Sequence, residues 1–508
     1  MSPTTLVALA MLAPLVASLL ILAVGRWPNL RSAVTIGTAP VGFIFLVLLY
    51  PHITAGGRPG FEAFELLPGL AIAFEVEPLG LLYAMVASGL WIVTAIYAVG
   101  YMKQQKEPRQ TSFFFFFAIA IAAAMGIAFS RNLVTLFLFY ELLTLSTFPL
   151  VTHRRNDYAM KAGRVYLGLL LFTSVCFLFV AIVWTWVVAG TVEFTPGGIL
   201  AGKAEAPALA VLLGLFAFGS GKAGLMPFHR WLPRAMVAPA PVSALLHAVA
   251  VVKAGVFTIL KVVIYIFGLE TLQSTGISIW LMYAAAFTIL TASVLAVIQT
   301  NLKARLAYST ISQLGYIVLG AAMATSASVV GAGLHIATHA FGKITLFFCA
   351  GAVYAVSHAI EIPEMDGIGR KMPFTMGAFT LASISIIGLP PMGGSWSKWW
   401  LLSGALDAHQ PVFVVVLLIS SLLSIAYLMP IVARAFFVKP KESGEFLTGP
   451  TYDAKAFDPS RLGFDTSGIK EAPVPVVLAL CTTALGAFAL FFLSDHVVAL
   501  LAPIVGLK

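Results

Sequence analysis

The sequence predicts an all-α, polytopic membrane protein of about fourteen transmembrane helices, and three observations predict it. Of its 508 residues, 60% are hydrophobic and 10% are charged, whereas a soluble domain carries about a quarter charged residues. Apolar runs long enough for a hydrocarbon core about 30 Å thick, roughly 20 residues each, follow one another almost end to end. Lys and Arg alternate in density from loop to loop, as orientation in a membrane requires.

The runs lie near 4–25, 33–50, 78–101, 111–130, 132–152, 165–190 and 206–236, then 237–268, 274–300, 306–325, 328–355, 372–404, 410–433 and 472–493. The first has no basic segment before it and is followed by Arg26 and Arg31, so it reads as a retained span and not a cleaved leader. The seventh and twelfth are interrupted by proline. Alternating the loops puts 21 of the 30 Lys and Arg on one face and four, Arg58, Arg131, Lys203 and Lys508, on the other. The positive-inside rule then places both termini outside a bacterial inner membrane. The remaining five, Lys222, Lys253, Lys261, Lys343 and Lys398, fall within spans.

This pattern divides the chain into a three-helix segment over 1–110, five-helix units over 111–268 and 274–433, and a cytoplasmic loop with the last helix over 434–508. The interrupted spans are five apart, an odd number, so they would cross the bilayer in opposite directions. That is the geometry of an inverted repeat of spans 4 to 8 and 9 to 13, used by many ion transporters. The outer loop 51–77, with Glu62, Glu65, Glu75 and Glu77, reads as a solvated acidic surface. The polar stretch 434–471 reads equally as a solvated loop or a partner contact.

The net charge of +9 reflects membrane orientation and does not call for a nucleic-acid partner. Cys176, Cys349 and Cys481 stand singly in apolar runs, which points to neither a disulfide framework nor a thiolate metal site. No nucleotide motif and no iron-sulfur cysteine pattern is present, so no cofactor is expected and the driving force must come from elsewhere.

Ionisable groups inside a helix bundle cost several kcal/mol, and each is a functional hypothesis. Glu141 is the one acid deep in a span, the fifth. The buried bases are Lys222 on the seventh, His247 and Lys253 on the eighth, His335, His339 and Lys343 on the eleventh, and Lys398 on the twelfth. Lys261 lies nearer an end, where its long stem can reach the surface. Two successive spacings of four align His335, His339 and Lys343 on one helix face. The same spacing could suit a metal or haem, but the lysine one turn on would set an ammonium beside the cation, and no further ligand completes a set. Histidines that merely hydrogen-bond between helices remain the plainer alternative for each taken singly. Lys222 precedes Pro227 in GSGKAGLMPFHRWLP, and Lys398 follows Pro390 and Pro391 in GLPPMGGSWSK. Such breaks free backbone carbonyls that lipid cannot satisfy, so each points to internal water, with a plain packing kink as the alternative.

The runs FLFYELLTLSTFPLV, GKAGLMPFHRWLPRAMVAPAPVSALLHAVAVVKAGVF, NLKARLAYSTISQLGYI, LHIATHAFGKITLFF and GLPPMGGSWSKWWLL resemble the proton-conducting, antiporter-like subunits of respiratory complex I, membrane-bound hydrogenases and Mrp-type sodium/proton antiporters. The resemblance runs from about 78 to 435. It implies fourteen helices with inverted repeats, a hydrophilic axis parallel to the membrane plane, and other membrane subunits as partners. It also implies that Glu141 pairs with Lys222 to gate proton uptake, that His247, Lys253, His335, His339 and Lys343 form the middle relay, and that Lys398 is the exit group. Some complex I relatives carry glutamate at the position of Lys398. An end at Lys508 without a lateral helix, together with GGSWSKWWLLSGALDAHQ, makes the chain most similar to the D-type subunits of Mrp antiporters. Sodium, which prefers several oxygen ligands, is expected on a partner subunit if it is carried at all. Rival readings are a self-sufficient secondary transporter, a redox subunit binding haem or quinone, and a scaffold with a vestigial axis.

Overall fold

The computed structural model describes residues 1–439 and 469–507, except the side chains of Leu67 and His247. Most of the polar stretch expected at 434–471 therefore lies outside the described residues. The chain opens with α1 (Pro3–Ala23) and α2 (Pro28–Thr54), each with a proline in its first turn, where the missing N–H costs nothing. A hairpin of β1 (Gly60–Leu67) and β2 (Leu70–Glu75) follows, then α3 (Pro78–Gln104), α4 (Gln110–Ala128) and α5 (Leu133–Val151). Next come α6 (Asp157–Thr173) and α7 (Val180–Ala189), one continuous rod through a π-helical turn at Ser174–Phe179.

The expected seventh span is α8 (Ala206–Gly219), a 3-10 turn at Gly221–Ala223 and the short α9 (Trp231–Arg234). The eighth begins with α10 (Ala240–Ala244), passes a π-helical turn at Leu245–Val249, and continues as α11 (Val251–Val262). A second π-helical turn leads into α12 (Leu269–Thr275), bent by 81°. Then follow α13 (Ile279–Ile298), α14 (Leu302–Met323) and the long α15 (Ser326–Ser357). The twelfth span is split into α16 (Pro373–Ile387) and α17 (Gly394–Asp407). The chain finishes with α18 (Pro411–Phe437), α19 (Val474–Phe492) and α20 (Ser494–Leu501).

Among the described residues, eleven helices are long and apolar enough to cross a membrane, or twelve with the bent pair counted. The seventh and twelfth expected crossings miss the test because each is broken into shorter pieces. With the breaks bridged, the expected fourteen crossings are accounted for, and the chain is a multi-pass membrane protein. The most enclosed helices are α14 and α15, 94% and 83% buried over their apolar windows, against 28% for α2. The ionisable groups expected on α15 therefore sit at the centre of the bundle.

The structure departs from expectation at the outer loop. The stretch expected as a solvated loop carries the hairpin, which docks on the α4–α5 connection through Glu75 N to Phe129 O (2.7 Å) and Arg131 N to Ala73 O (3.0 Å). Glu62 and Glu65 are exposed, but Glu77 is 3% exposed. Its carboxylate caps α3 by accepting from the N–H groups of Leu79 and Gly80, and it accepts from the Tyr265 hydroxyl at 2.9 Å. Lys261, expected to reach the surface, is fully enclosed. Its ammonium lies 3.5 Å from Glu77 and donates to Ser130 O at 2.8 Å. Glu77 is held inside as the cap of α3, beside Lys261 and Tyr265. Glu107 and Asp366, in connections on the opposite face, are likewise buried against Arg154 and Arg434.

Removing one partner of a buried ion pair leaves an uncompensated charge, at a cost of about 3–5 kcal/mol. Glu77→Ala is expected to lower the thermal melting temperature of the detergent-purified protein sharply. An unchanged melting temperature would show that the pair does not hold the hairpin face together.

Candidate functional site

Lys222 sits in the 3-10 turn that breaks the seventh span, where the chain can bring it inward without spending a full helical turn. Its ammonium donates to Tyr140 O (2.8 Å) and Thr144 Oγ1 (2.6 Å) on α5 and lies 3.1 Å from the centre of the Tyr140 ring. Its backbone N–H donates to the Tyr140 hydroxyl. The pairing with Glu141 that the resemblance implies is not formed in this conformation. Tyr140 and Thr144 share the face of α5 toward Lys222, and Glu141 is one position round the helix. The Glu141 carboxylate oxygens are shielded from solvent and have no hydrogen-bond partner among the described residues.

The next lysine is brought against this turn by a glycine. A methyl group at Gly255 would collide with the backbone of Lys222 and Ala223, so α11 approaches the turn as closely as backbone permits. Two residues earlier, Lys253 crosses to α15 and its ammonium meets His339 Nδ1 at 2.7 Å. His339 and His335 follow one another on α15 with ring centres 5.7 Å apart. His335 Nδ1 is 2.8 Å from Ser397 Oγ, and its ring stacks on Tyr316.

Lys398, the neighbour of Ser397, donates to Ile387 O (2.8 Å) and Ser421 Oγ (2.9 Å). Ile387 is the last residue of α16, so its carbonyl is freed by the break. Gly388, at φ 90°, leaves room for the lysine stem that a side chain there would strike. Lys343 shares the α15 face with the histidines, but its ammonium turns to α14, donating to Leu306 O (3.3 Å) and Ser309 Oγ (2.5 Å). His247 lies on the π-helical turn before α11, and its side chain is outside those described.

The structure thus brings Lys253, His339, His335 and Lys398 into one file and sets Lys222 at one end. It places Lys343 beside the file and leaves Glu141 unpaired. Among the described residues, Lys222, Lys253, Lys343 and Lys398 have no carboxylate in ion-pair contact, and only Lys261 does. Their acceptors are hydroxyls, carbonyls and an imidazole. An amine so held gives up its proton without breaking an ion-pair contact. Sequence reasoning missed the accepting groups Tyr140, Thr144, Ser309, Tyr316, Ser397 and Ser421. The one signal was their helical spacing, which many hydroxyls of these spans share.

These features define a class, a multi-pass membrane protein with a file of lysines and histidines enclosed between two broken helices. Comparison supplies the family. The model of the family described as NADH:quinone oxidoreductase/Mrp antiporter, TM, matches residues 130–424, and the chain belongs to that family. NADH-quinone oxidoreductase subunit N of Desulforudis audaxviator (strain MP104C) is 33% identical over 379 residues, 73% of this chain and 74% of that protein. The D-type subunit of the Na(+)/H(+) antiporter of Alkalihalophilus pseudofirmus is 25% identical over 447 residues, 87% of this chain and 88% of that one. A chain in the structure of the Mrp complex from Dietzia sp. DQ12-45-1b shares the fold, with a TM-score of 0.85 at 21% identity over 100% of this chain and 97% of that chain. Other relatives are longer, and this chain spans 40–64% of their length.

Adding a methyl group at Gly255 forces α11 off the Lys222 turn, and overpacking of this kind costs about 1–3 kcal/mol. Gly255→Ala is expected to lower the melting temperature, whereas Gly377→Ala, which faces open space, leaves it unchanged. Equal effects of the two would contradict the close approach.

Proposed function

We propose that this chain carries protons through the membrane along the file from Lys222 through Lys253, His339 and His335 to Lys398, with Glu141, His247 and Lys343 alongside it. It does so as one subunit of a multisubunit, Mrp-type cation/proton antiporter in a bacterial inner membrane, both termini outside, and sodium, if exchanged, passes through partner subunits. The observation that carries this reading is the set of enclosed lysines held by uncharged acceptors. A scaffold has no use for four such groups, because well-packed apolar residues are cheaper.

Glu141 and Lys222 supply the switch. At an effective dielectric of about 20, two charges 4 Å apart attract by about 4 kcal/mol. Moving one charge against 100 mV costs about 2.3 kcal/mol. Closing the pair would hold a proton on Lys222, and opening it, as in the present conformation, would release the proton toward Lys253. The inverted repeat of 111–268 and 274–433 is part of the same proposal, supported by two broken helices that each present a lysine at the break.

The Mrp reading is supported by the D-type antiporter protein of Alkalihalophilus pseudofirmus and the Dietzia chain, both matched over nearly their whole length. A second reading, an antiporter-like subunit of a complex I-like dehydrogenase or membrane-bound hydrogenase, is favoured by the 33% identity to an NADH-quinone oxidoreductase subunit. Chains that co-purify with this one separate the two: small hydrophobic subunits alone indicate an antiporter, and soluble redox subunits a dehydrogenase or hydrogenase.

Lys222→Ala is expected to abolish proton-coupled transport in vesicles carrying the assembled complex, measured with an entrapped pH dye. Undiminished transport by that variant would end the proposal.

A further inference from the structure

Lys343 faces away from the histidines, and its bonds open onto a second row of polar groups. Ser309 Oγ, which accepts from Lys343, donates to the Tyr427 hydroxyl at 2.8 Å, and that hydroxyl is 2.9 Å from Ser424 Oγ. At the far end Lys398 donates to Ser421 Oγ. The Tyr316 hydroxyl donates to Leu417 O at 3.2 Å, one turn before Ser420 and Ser421 on α18. Ser309, Gln313, Tyr316, Ser424 and Tyr427 are all fully buried.

One gap remains, from Ser424, whose hydroxyl donates to Ser420 O at 2.9 Å in this structure and must rotate to pass a proton on, back to Ser421, a single turn of α18, which is about 5–6 Å between side chains. Gln313 faces that region, four residues beyond Ser309 and three before Tyr316 on α14. Its amide oxygen and nitrogen are both buried, and neither has a hydrogen-bond partner among the described residues. A buried amide with both ends unsatisfied calls for water.

We propose that these hydroxyls form a second proton route from Lys343 to Lys398 along α14 and α18, closed by a water held on the Gln313 amide. The proposal rests on the proton-carrying function above. The Lys343 ammonium gives its proton to Ser309 oxygen as Ser309 passes its own to Tyr427, Tyr427 to Ser424, Ser424 to the water, the water to Ser421, and Ser421 to the neutral amine of Lys398. One N–H or O–H bond forms for each that breaks, and the hydroxyls rotate back to reset the row. Lys343 thereby reaches the exit lysine without using His339 or His335, which serve Lys253.

The test is proton-coupled transport by the full chain in its complex, in inside-out vesicles with a pH-sensitive dye. Ser424→Ala, Tyr427→Phe and Gln313→Leu are each expected to slow transport by about tenfold, the rate factor that one lost buried hydrogen bond supports. Ser424→Thr, which keeps the hydroxyl, retains the rate. Where Tyr427→Phe fails to accumulate, the Ser424 pair decides, and equal rates for Ala and Thr overturn the route. Lys222→Ala separates the two levels. If it abolishes transport while Ser424→Ala and Gln313→Leu run at the parental rate, the second route is wrong and the function stands. If Lys222→Ala transports normally, the function falls and the route with it.

Discussion

An ammonium group enclosed in a lipid-embedded bundle must find acceptors that intact helices have already used. Regular helices pair every interior carbonyl with an N–H four residues on, and lipid offers nothing in exchange. The protein meets this constraint in three ways. It breaks helices, so that Lys222 sits within a 3-10 turn and Lys398 takes the freed carbonyl of Ile387. It supplies hydroxyls, such as Thr144, Ser309 and Ser421. It lets carbonyls such as Tyr140 O accept a second bond with their free lone pair. Among the described residues, an enclosed lysine meets a carboxylate at Lys261, which pairs with Glu77 near the β1–β2 hairpin. That division separates a lysine fixed by its ion pair from the lysines that the proposed function has carrying protons.

The spans, the two breaks and the buried bases were legible in the sequence because each is a local anomaly. A charge in an apolar run, or a Gly-Pro cluster in the middle of one, stands out without knowledge of any neighbour. The acceptors were not legible. Ser and Thr in membrane helices commonly bond their own backbone, and Thr144 also donates to Tyr140 O, so sequence cannot tell a helix-satisfied hydroxyl from one aimed at a lysine.

Glu77 and Lys261 were misread for a related reason. A glutamate in an acidic loop and a lysine near a span end each have a bland reading, and only the β1–β2 hairpin, folded back on the α4–α5 connection, brings them together. The unformed Glu141–Lys222 contact is a different case. Sequence can propose that two groups meet, but here α5 presents Tyr140 and Thr144 to Lys222 instead.

In the proposed function the lysines and histidines are joined through internal hydration into one conducting file. A cryo-electron microscopy map of the assembled complex, at a resolution that resolves ordered water, tests it most directly. Water density is expected to link Lys222 to Lys253 and to fill the breaks beside Lys222 and Lys398. Closely packed, dry side chains across the stretch between Lys222 and Lys253 would contradict it.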